Sequence, residues 1–274
     1  MKLLNGSELA GYIKERQAKQ VRALRQAAGI EPKLAIVVAK DDPVIETYVR
    51  LKNRYGADIL VDVDIHRVQQ AEVAGLLTKL NQDDTVHGII VQLPLEDVSQ
   101  TDEIVNQVAP QKDVDALGKN AIFEPATPMA ILWLLAGYNV DLKGKKVLLI
   151  GRGKLVGAPL EKLLQSMDVD VTTIDRQAGD VTRYTADADV IITATGSPAI
   201  LYSDMIKQGA VVVDAGVASE SGKTVGDLAA DVYERQDLTI TPQKGGVGPL
   251  TVCALFDNVI RAARNVADAA EPEV

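Results

Sequence analysis

The chain has 274 residues, 47% hydrophobic and 24% charged, an ordinary balance for a globular protein and enough for two domains of about 100–150 residues each. Its net charge of −9 argues against a nucleic-acid surface or an anionic membrane as partner. One cysteine, Cys253, leaves no internal disulfide and suits a reducing cytoplasm, no apolar run nears the roughly 20 residues of a membrane helix, and the N-terminus turns polar too early for a secretory signal.

Helix and strand patterns then alternate along the chain, which predicts an α/β fold of two αβα domains with parallel sheets covered on both faces. Ser7 is placed to cap a helix reaching to about Ala28, with Leu9, Ile13, Val21 and Leu24 inward. Strands are expected over 34–38, 59–68 and 88–93, with helices from Pro43, over 72–81 and over 101–108 between and after them. Loop chemistry dominates from Pro110 to Pro128 and reads as a crossing between domains. A second series follows: a helix over 129–137, strands over 146–150, 169–174, 190–195, 210–216 and 238–241, and a last helix over about 250–267. Strand lengths and Gly/Pro punctuation between Thr127 and Gly248 suit a Rossmann-type unit.

The stretch Gly151-Arg152-Gly153-Lys154-Leu155-Val156-Gly157 follows the apolar run Val147–Ile150 and opens a helix. A Gly-spaced turn between strand and helix aims backbone N–H groups and the helix dipole at one point, a site for a dinucleotide pyrophosphate. A second strand ends in Asp175, 24 positions past Gly151, near the spacing at which a carboxylate meets the adenosine ribose. An ordinary tight turn is the blander reading; the strand–turn–helix–strand context favours the nucleotide.

In the first half, Tyr48 and Lys52 stand four apart on one helix face and suit proton-transfer work if burial lowers the lysine pKa. Taken alone, they read better as a surface lysine beside a half-buried tyrosine; Gln92 and Asp115 shift the balance. Gln92 sits at the carboxyl end of a strand, before Pro94, where open parallel sheets bind ligands. Asp115, in Lys112-Asp113-Val114-Asp115, is able either to accept from an amino-substituted heterocycle or to cap a turn. Gly245-Gly246-Val247-Gly248-Pro249-Leu250-Thr251 lets backbone approach a ligand at a helix start. His66, His87 and Cys253 read as structural, Trp133 as helix packing, and no metal-ligand spacing appears.

Taken together, Tyr48-x-x-x-Lys52, Val91-Gln-Leu-Pro-Leu95, Lys112-Asp-Val-Asp115, Pro125-x-Thr-Pro128, Gly151-Arg-x-x-x-Val-Gly157 and Gly245-Gly-Val-Gly-Pro-x-Thr251 resemble the methylenetetrahydrofolate dehydrogenase/methenyltetrahydrofolate cyclohydrolase family. The motifs stand in family order across nearly the whole chain. Asp214-Ala215-Gly216 and Val225-Gly226-Asp227 resemble two further landmarks. The resemblance implies a folate domain over 1–126, completed by a C-terminal helix over 249–274, and a Rossmann domain over 127–248, with substrate in a cleft between them.

It further implies oxidation of 5,10-methylenetetrahydrofolate with NAD or NADP, then hydrolysis of the methenyl product to 10-formyltetrahydrofolate by a cytoplasmic homodimer. Lys52 matches the lysine of the hydrolytic step, Tyr48 the tyrosine that stacks on the folate, Gln92 the glutamine that tunes the lysine and Asp115 the aspartate that holds the pterin. Gly248, Pro249 and Leu250 are expected at the substrate. Gly151, Arg152, Gly153, Val156, Gly157, Asp175, Arg176, Thr195 and Gly196 are expected at the cofactor.

The chain departs from the family pattern at Lys40, Ile45, Ala116, Ala130 and Gln243-Lys244, and Gly153 replaces the serine that NADP-using members pair with the arginine. Asp175 would repel a 2′-phosphate and accept from a ribose 2′-OH, while Arg152 and Arg176 pull the other way; NAD is expected over NADP. The alternatives are a dehydrogenase without the hydrolytic step, a dehydrogenase for another small acid, and a folate- or nucleotide-binding protein without catalysis. A binding protein has no evident need for Lys52.

Overall fold

The computed structural model describes residues 1–175, 178–220 and 223–270. Among these, the chain runs β1 (Lys2–Leu3), α1 (Gly6–Ala28), β2 (Lys33–Val38), α2 (Pro43–Asp58), β3 (Asp62–Arg67), α3 (Val73–Gln82), β4 (Gly88–Val91) and α4 (Thr101–Val105). Next come α5 (Ala126–Gly137), β5 (Val147–Ile150), α6 (Gly157–Ser166), β6 (Val171–Ile174), α7 (Thr182–Thr185), β7 (Val190–Thr193) and β8 (Val211–Asp214). Last are β9 (Ala218–Glu220), β10 (Lys223–Val225), β11 (Thr239–Ile240) and α8 (Val247–Ala270). The chain divides into two compact units, one of Met1–Ala10 with Thr127–Thr251, the other of Gly11–Ala126 with Val252 onward.

The second of these holds a parallel sheet ordered β3-β2-β4. Central β2 is apolar along Leu34–Val38 because both its faces are covered. One face packs Ala35 and Val37 with Val73, Leu77, Ile89 and Val91. Helix α2 starts where Asp42 accepts from the Val44 and Ile45 N–H groups at 2.8 and 3.3 Å, with Pro43 at the first position. It ends where Leu60 turns through φ 66°, so β3 begins at Asp62 and not at residue 59.

The other unit holds a six-stranded parallel sheet ordered β1-β11-β8-β7-β5-β6. Strands β5 and β7 are buried throughout, as expected for the centre of a doubly wound sheet. Sequence order reverses between β6-β5 and β7-β8, which makes the carboxyl ends of β5 and β7 the switch point where such sheets bind ligands.

The expected boundaries differ from these units at both ends. Residues 1–10 lie with the six-stranded sheet because Lys2 and Leu3 pair with Thr239 and Ile240. The helix begins at Gly6, and Asn5 rather than Ser7 caps it, its Oδ1 accepting from Glu8 N–H at 3.2 Å. At the other end, α8 enters the three-stranded unit at Val252 and starts at Val247, earlier than expected.

Candidate active site

In the three-stranded unit, α2 and the end of β4 bring two of the expected groups together. Lys52 donates from Nζ to Gln92 Oε1 at 2.7 Å, while Gln92 Nε2 donates to the Leu93 carbonyl at 3.1 Å. The second bond fixes which way the amide faces, so its oxygen points at the lysine. Burial lowers the Lys52 pKa, and the nearby Asp115 carboxylate partly restores it. Asp115 is itself pushed up by burial and held down by Lys52. The three side chains therefore form an amine, a carboxyl and an amide in one partly dry place, able to exchange a proton near the end of β4. Tyr48 lies one turn before Lys52, 40% exposed, so one ring face is open to a ligand.

The loop that carries Asp115 is braced from three sides. Asp113, buried, accepts from Gly118 N–H at 2.8 Å. Asn258 of α8 donates to the carbonyls of Val114 and Glu124, both at 2.9 Å. Lys112, in the same motif, has a structural role: its Nζ donates to the Leu80, Asn81 and Asp83 carbonyls at 3.1, 3.0 and 2.8 Å, closing the end of α3. Of two departures from the family pattern here, Ile45 has a structural reason and Ala116 has none. Ile45 is 2% exposed, a core residue of α2 that needs no hydrogen-bonding group. Ala116 takes φ 56°, a left-handed conformation that favours glycine. Ala116→Gly is expected to stabilise this unit by about 0.5–1 kcal/mol, read as a higher urea midpoint at unchanged m-value.

Helix α2 is tied to α8 behind the site. Tyr55 donates from its hydroxyl to Gln17 Oε1 at 2.7 Å, and Gln17 Nε2 donates to the Cys253 carbonyl at 2.8 Å. The Tyr55 and Phe256 rings lie 5.1 Å apart. Cys253 is buried and its thiol is pushed up by desolvation, which makes it a poor nucleophile.

In the six-stranded unit, the β5–α6 loop has the form a dinucleotide needs. Gly151 takes φ 106°, and a Cβ there would meet the Ala194 carbonyl oxygen at 2.5 Å. A Cβ on Gly157 would fall 1.9 Å from the Gly151 oxygen, so only glycine lets α6 begin this close to β5. Gly153 faces open space, and Val156 precedes the helix without a side chain that caps its first N–H groups. These residues fit a pyrophosphate. Arg152 donates from Nε to Glu161 Oε2 at 2.7 Å. Asp175 stands just past β6, exposed and close enough to Arg152 to raise its pKa further. Arg176 lies outside the described residues.

The strongest polar device in this unit was not assigned a role from the sequence. Asp227, fully buried, accepts from Thr195 N–H at 2.7 Å and Ser197 N–H at 3.0 Å, shaping the loop around Gly196 after β7. Asp214, at the end of β8, accepts from the N–H groups of Gly216, Asp227 and Leu228 at 2.9, 3.0 and 3.3 Å, and burial pushes its carboxyl up. Glycines make room for both: a Cβ on Gly216 would lie 1.9 Å from Asp227, and one on Gly226 would lie 2.0 Å from Asp214. The signal is present in Asp214-Ala215-Gly216 and Gly226-Asp227, an acid within two residues of a glycine in each.

The Gly245–Thr251 loop differs from its expectation. Gly245 takes φ 80° and its carbonyl accepts from Ser7 N–H at 2.9 Å, while a Cβ on Gly6 would overlap the Gly246 oxygen at 1.7 Å. These two glycines admit the start of α1. Gly248 faces open space, but Leu250 is fully buried, so its side chain belongs to the core. Among the described residues, no group of three or more His, Cys, Asp or Glu is arranged to hold a metal ion, and no helix is long and apolar enough to cross a membrane.

Comparison with known proteins agrees with this layout. The model of the tetrahydrofolate dehydrogenase/cyclohydrolase catalytic domain matches residues 4–115, and that of the NAD(P)-binding domain matches 125–267. The bifunctional protein FolD of Campylobacter jejuni strain RM1221 is 38% identical over 280 residues, covering 97% of this chain and 99% of its own. FolD of Staphylococcus aureus strain Newman is 36% identical over 277 residues, 96% of each chain. Among solved structures, the Campylobacter jejuni bifunctional enzyme superposes with TM-score 0.91 at 35% identity, covering 97% and 99% of the two chains. The Trypanosoma brucei dehydrogenase-cyclohydrolase, complexed with NADP and an inhibitor, gives 0.89 at 28%, covering 96% and 97%. With relatives this similar over nearly their whole length, and family models spanning both halves, the chain belongs to the tetrahydrofolate dehydrogenase/cyclohydrolase family.

Proposed function

We propose that the protein oxidises 5,10-methylenetetrahydrofolate to 5,10-methenyltetrahydrofolate with a nicotinamide cofactor and hydrolyses the product to 10-formyltetrahydrofolate. The observation that carries the hydrolytic half is the Lys52–Gln92 hydrogen bond beside Asp115, in a setting that lowers the lysine pKa. Asp115 holds the pterin through its amino-substituted edge, and the Tyr48 ring stacks on the folate. Lys52, its pKa lowered by burial and its amine oriented by Gln92, takes a proton from the water that attacks the methenyl carbon. It returns that proton to N5 as the C–N5 bond breaks, the remaining carbinol proton leaving to solvent as the formyl group forms on N10. General acid–base help of this kind is typically worth about 10²–10⁴-fold.

When bound, the nicotinamide supplies the hydride acceptor, and the chain's part in that half is positioning. Gly151, Gly153 and Gly157 leave room for the pyrophosphate, Val156 leads into the first turn of α6, and the loop Thr195-Gly196, held by Asp227, shapes the floor beyond β7. Gly248, Pro249 and Leu250 take the substrate through backbone rather than through the Leu250 side chain. Residues 1–126 with the C-terminal helix serve the folate, and 127–248 the cofactor, with Met1–Ala10 contributing a strand to the latter. We infer a homodimer working in the cytoplasm, without nucleic-acid or membrane partners; the net charge of −9 supports the last point. Reading absorbance as cofactor reduction with methylenetetrahydrofolate, then as decay of the methenyl chromophore, tests both halves. No reduction with either cofactor refutes the dehydrogenase; growth without enzyme-dependent decay leaves a dehydrogenase alone.

NAD is the preferred cofactor. Asp175, exposed just past β6, supports this reading, since a carboxylate there accepts from a ribose 2′-hydroxyl and repels a 2′-phosphate. Asp175→Ser is expected to lower the ratio of kcat/KM for NAD over NADP about ten-fold. A native enzyme that already prefers NADP contradicts this reading.

A further inference from the structure

Arg152 is the guanidinium of the β5–α6 loop, the group suited to a 2′-phosphate, yet it is already engaged. Its Nε donates to Glu161 Oε2 at 2.7 Å, from a side chain 61% exposed to one only 15% exposed. Glu161 lies one turn into α6, so the pair links the loop to its own helix. Asp175 adds a second carboxylate close to the same guanidinium.

We propose that Glu161 is a specificity-determining residue that holds Arg152 away from a 2′-phosphate and so directs the site to the unphosphorylated dinucleotide. The inference rests on the reading that this loop binds a nicotinamide dinucleotide. A carboxylate as sheltered as Glu161 keeps its partner, because losing it leaves a poorly solvated charge. For Arg152 to turn its fork to a phosphate, it must strand Glu161 or share itself between two anions. A ribose 2′-hydroxyl asks for neither, since it is neutral and Asp175 is placed to accept from it. Glu161 and Asp175 both stand near this guanidinium, so a phosphate dianion meets two carboxylates where the arginine alone would attract it.

The test needs no chemistry at the nicotinamide. Binding of 5′-ADP and of 2′,5′-ADP to the full chain is measured by calorimetry for the native protein, Glu161→Gln, Glu161→Ser and Glu161→Gln combined with Arg152→Gln. Removing the carboxylate is expected to tighten 2′,5′-ADP about ten-fold in both single variants while 5′-ADP changes by less than about two-fold. The gain should vanish when Arg152 is also replaced, because the arginine is what was released. The ratio of kcat/KM for NADP over NAD should rise in parallel. Unchanged or weaker 2′,5′-ADP binding in both single variants overturns the proposal, as does a gain that survives loss of Arg152. If the native chain binds neither nucleotide, the dinucleotide reading itself falls and takes the inference with it.

Discussion

Replacing Lys52 by methionine is expected to abolish hydrolysis of 5,10-methenyltetrahydrofolate, by about 10²–10⁴-fold in kcat, while hydride transfer persists at a reduced rate. Methionine keeps the length and apolar stem of lysine but offers Gln92 no donor and the attacking water no base. The two rates separate on a single sample, by cofactor reduction and by decay of the methenyl chromophore. Equal loss of both, with folate still bound, rules out the assigned role.

The pH profile gives a second reading of the same residue. A base must be neutral, so hydrolysis by the native enzyme rises with pH and levels off below the 10.5 of an ordinary lysine, because burial lowers this one. Asp115 raises the Lys52 pKa, so Asp115→Asn should move the rise in kcat/KM to lower pH even as substrate affinity falls. A rise that stays in place in that variant argues that the two groups are not coupled.

Stability follows pH in the same sense. A lysine with a depressed folded-state pKa contributes stability only above its unfolded value, and that contribution is lost as pH falls through the folded value. Below the folded value the buried ammonium is a cost, and there Lys52→Met should melt no lower than the native chain. Loss of activity without loss of Tm distinguishes a chemical role from a structural one.

Asp227→Ala is expected to do the reverse. It strips the carboxylate from the part-buried N–H groups of Thr195 and Ser197; Ser197 keeps the Thr195 hydroxyl at 3.0 Å, but the Thr195 donor is left unpaired at a cost of about 1–3 kcal/mol. The loop after β7 loses its anchor, and the six-stranded unit loses stability of about that size. Hydride transfer should fall through a raised KM for the dinucleotide, while hydrolysis at Lys52, in the other unit, survives. Asp227→Asn is the sharper control, since it keeps one acceptor but turns an amide N–H toward a donor. It should lie between the native chain and the alanine variant in both Tm and KM. If hydrolysis and dehydrogenation decline together in the alanine variant, the separation of roles argued here is wrong.

Much of this was legible because the deciding interactions are local. The apolar run of β2 predicts a strand covered on both faces, and Pro43 predicts where α2 starts, since a proline suits the first turn by its own fixed φ. The Gly151 loop was legible for the same reason: strand, turn and helix start are consecutive, and only glycine satisfies φ 106° and the contact between Gly157 and Gly151. The spacing of Tyr48 and Lys52 placed them on one helix face without reference to anything else.

The rest depended on residues far apart in the chain. The two residues of β1 carry too little pattern to mark a strand; they become one because β11 offers an open edge 237 positions later. Lys112 and Asp115 sit in one short motif, yet one closes α3 and the other faces Lys52, a division set by which neighbours the fold brings near. Gly245 and Gly246 looked like a ligand approach and admit Gly6 and Ser7.

The sequence by itself therefore determined the elements, their alternation, the glycine turn and the residue types suited to chemistry, all fixed by backbone sterics and side-chain period over a few positions. The tertiary structure alone decided which of those residues meet. Lys52 reaches Gln92 across 40 positions, Arg152 is claimed by Glu161, and Asp214 and Asp227 brace loops from different strands. Burial and charge pairing act through space, so the lowered Lys52 pKa and the Arg152–Glu161 pair exist only once the chain has folded.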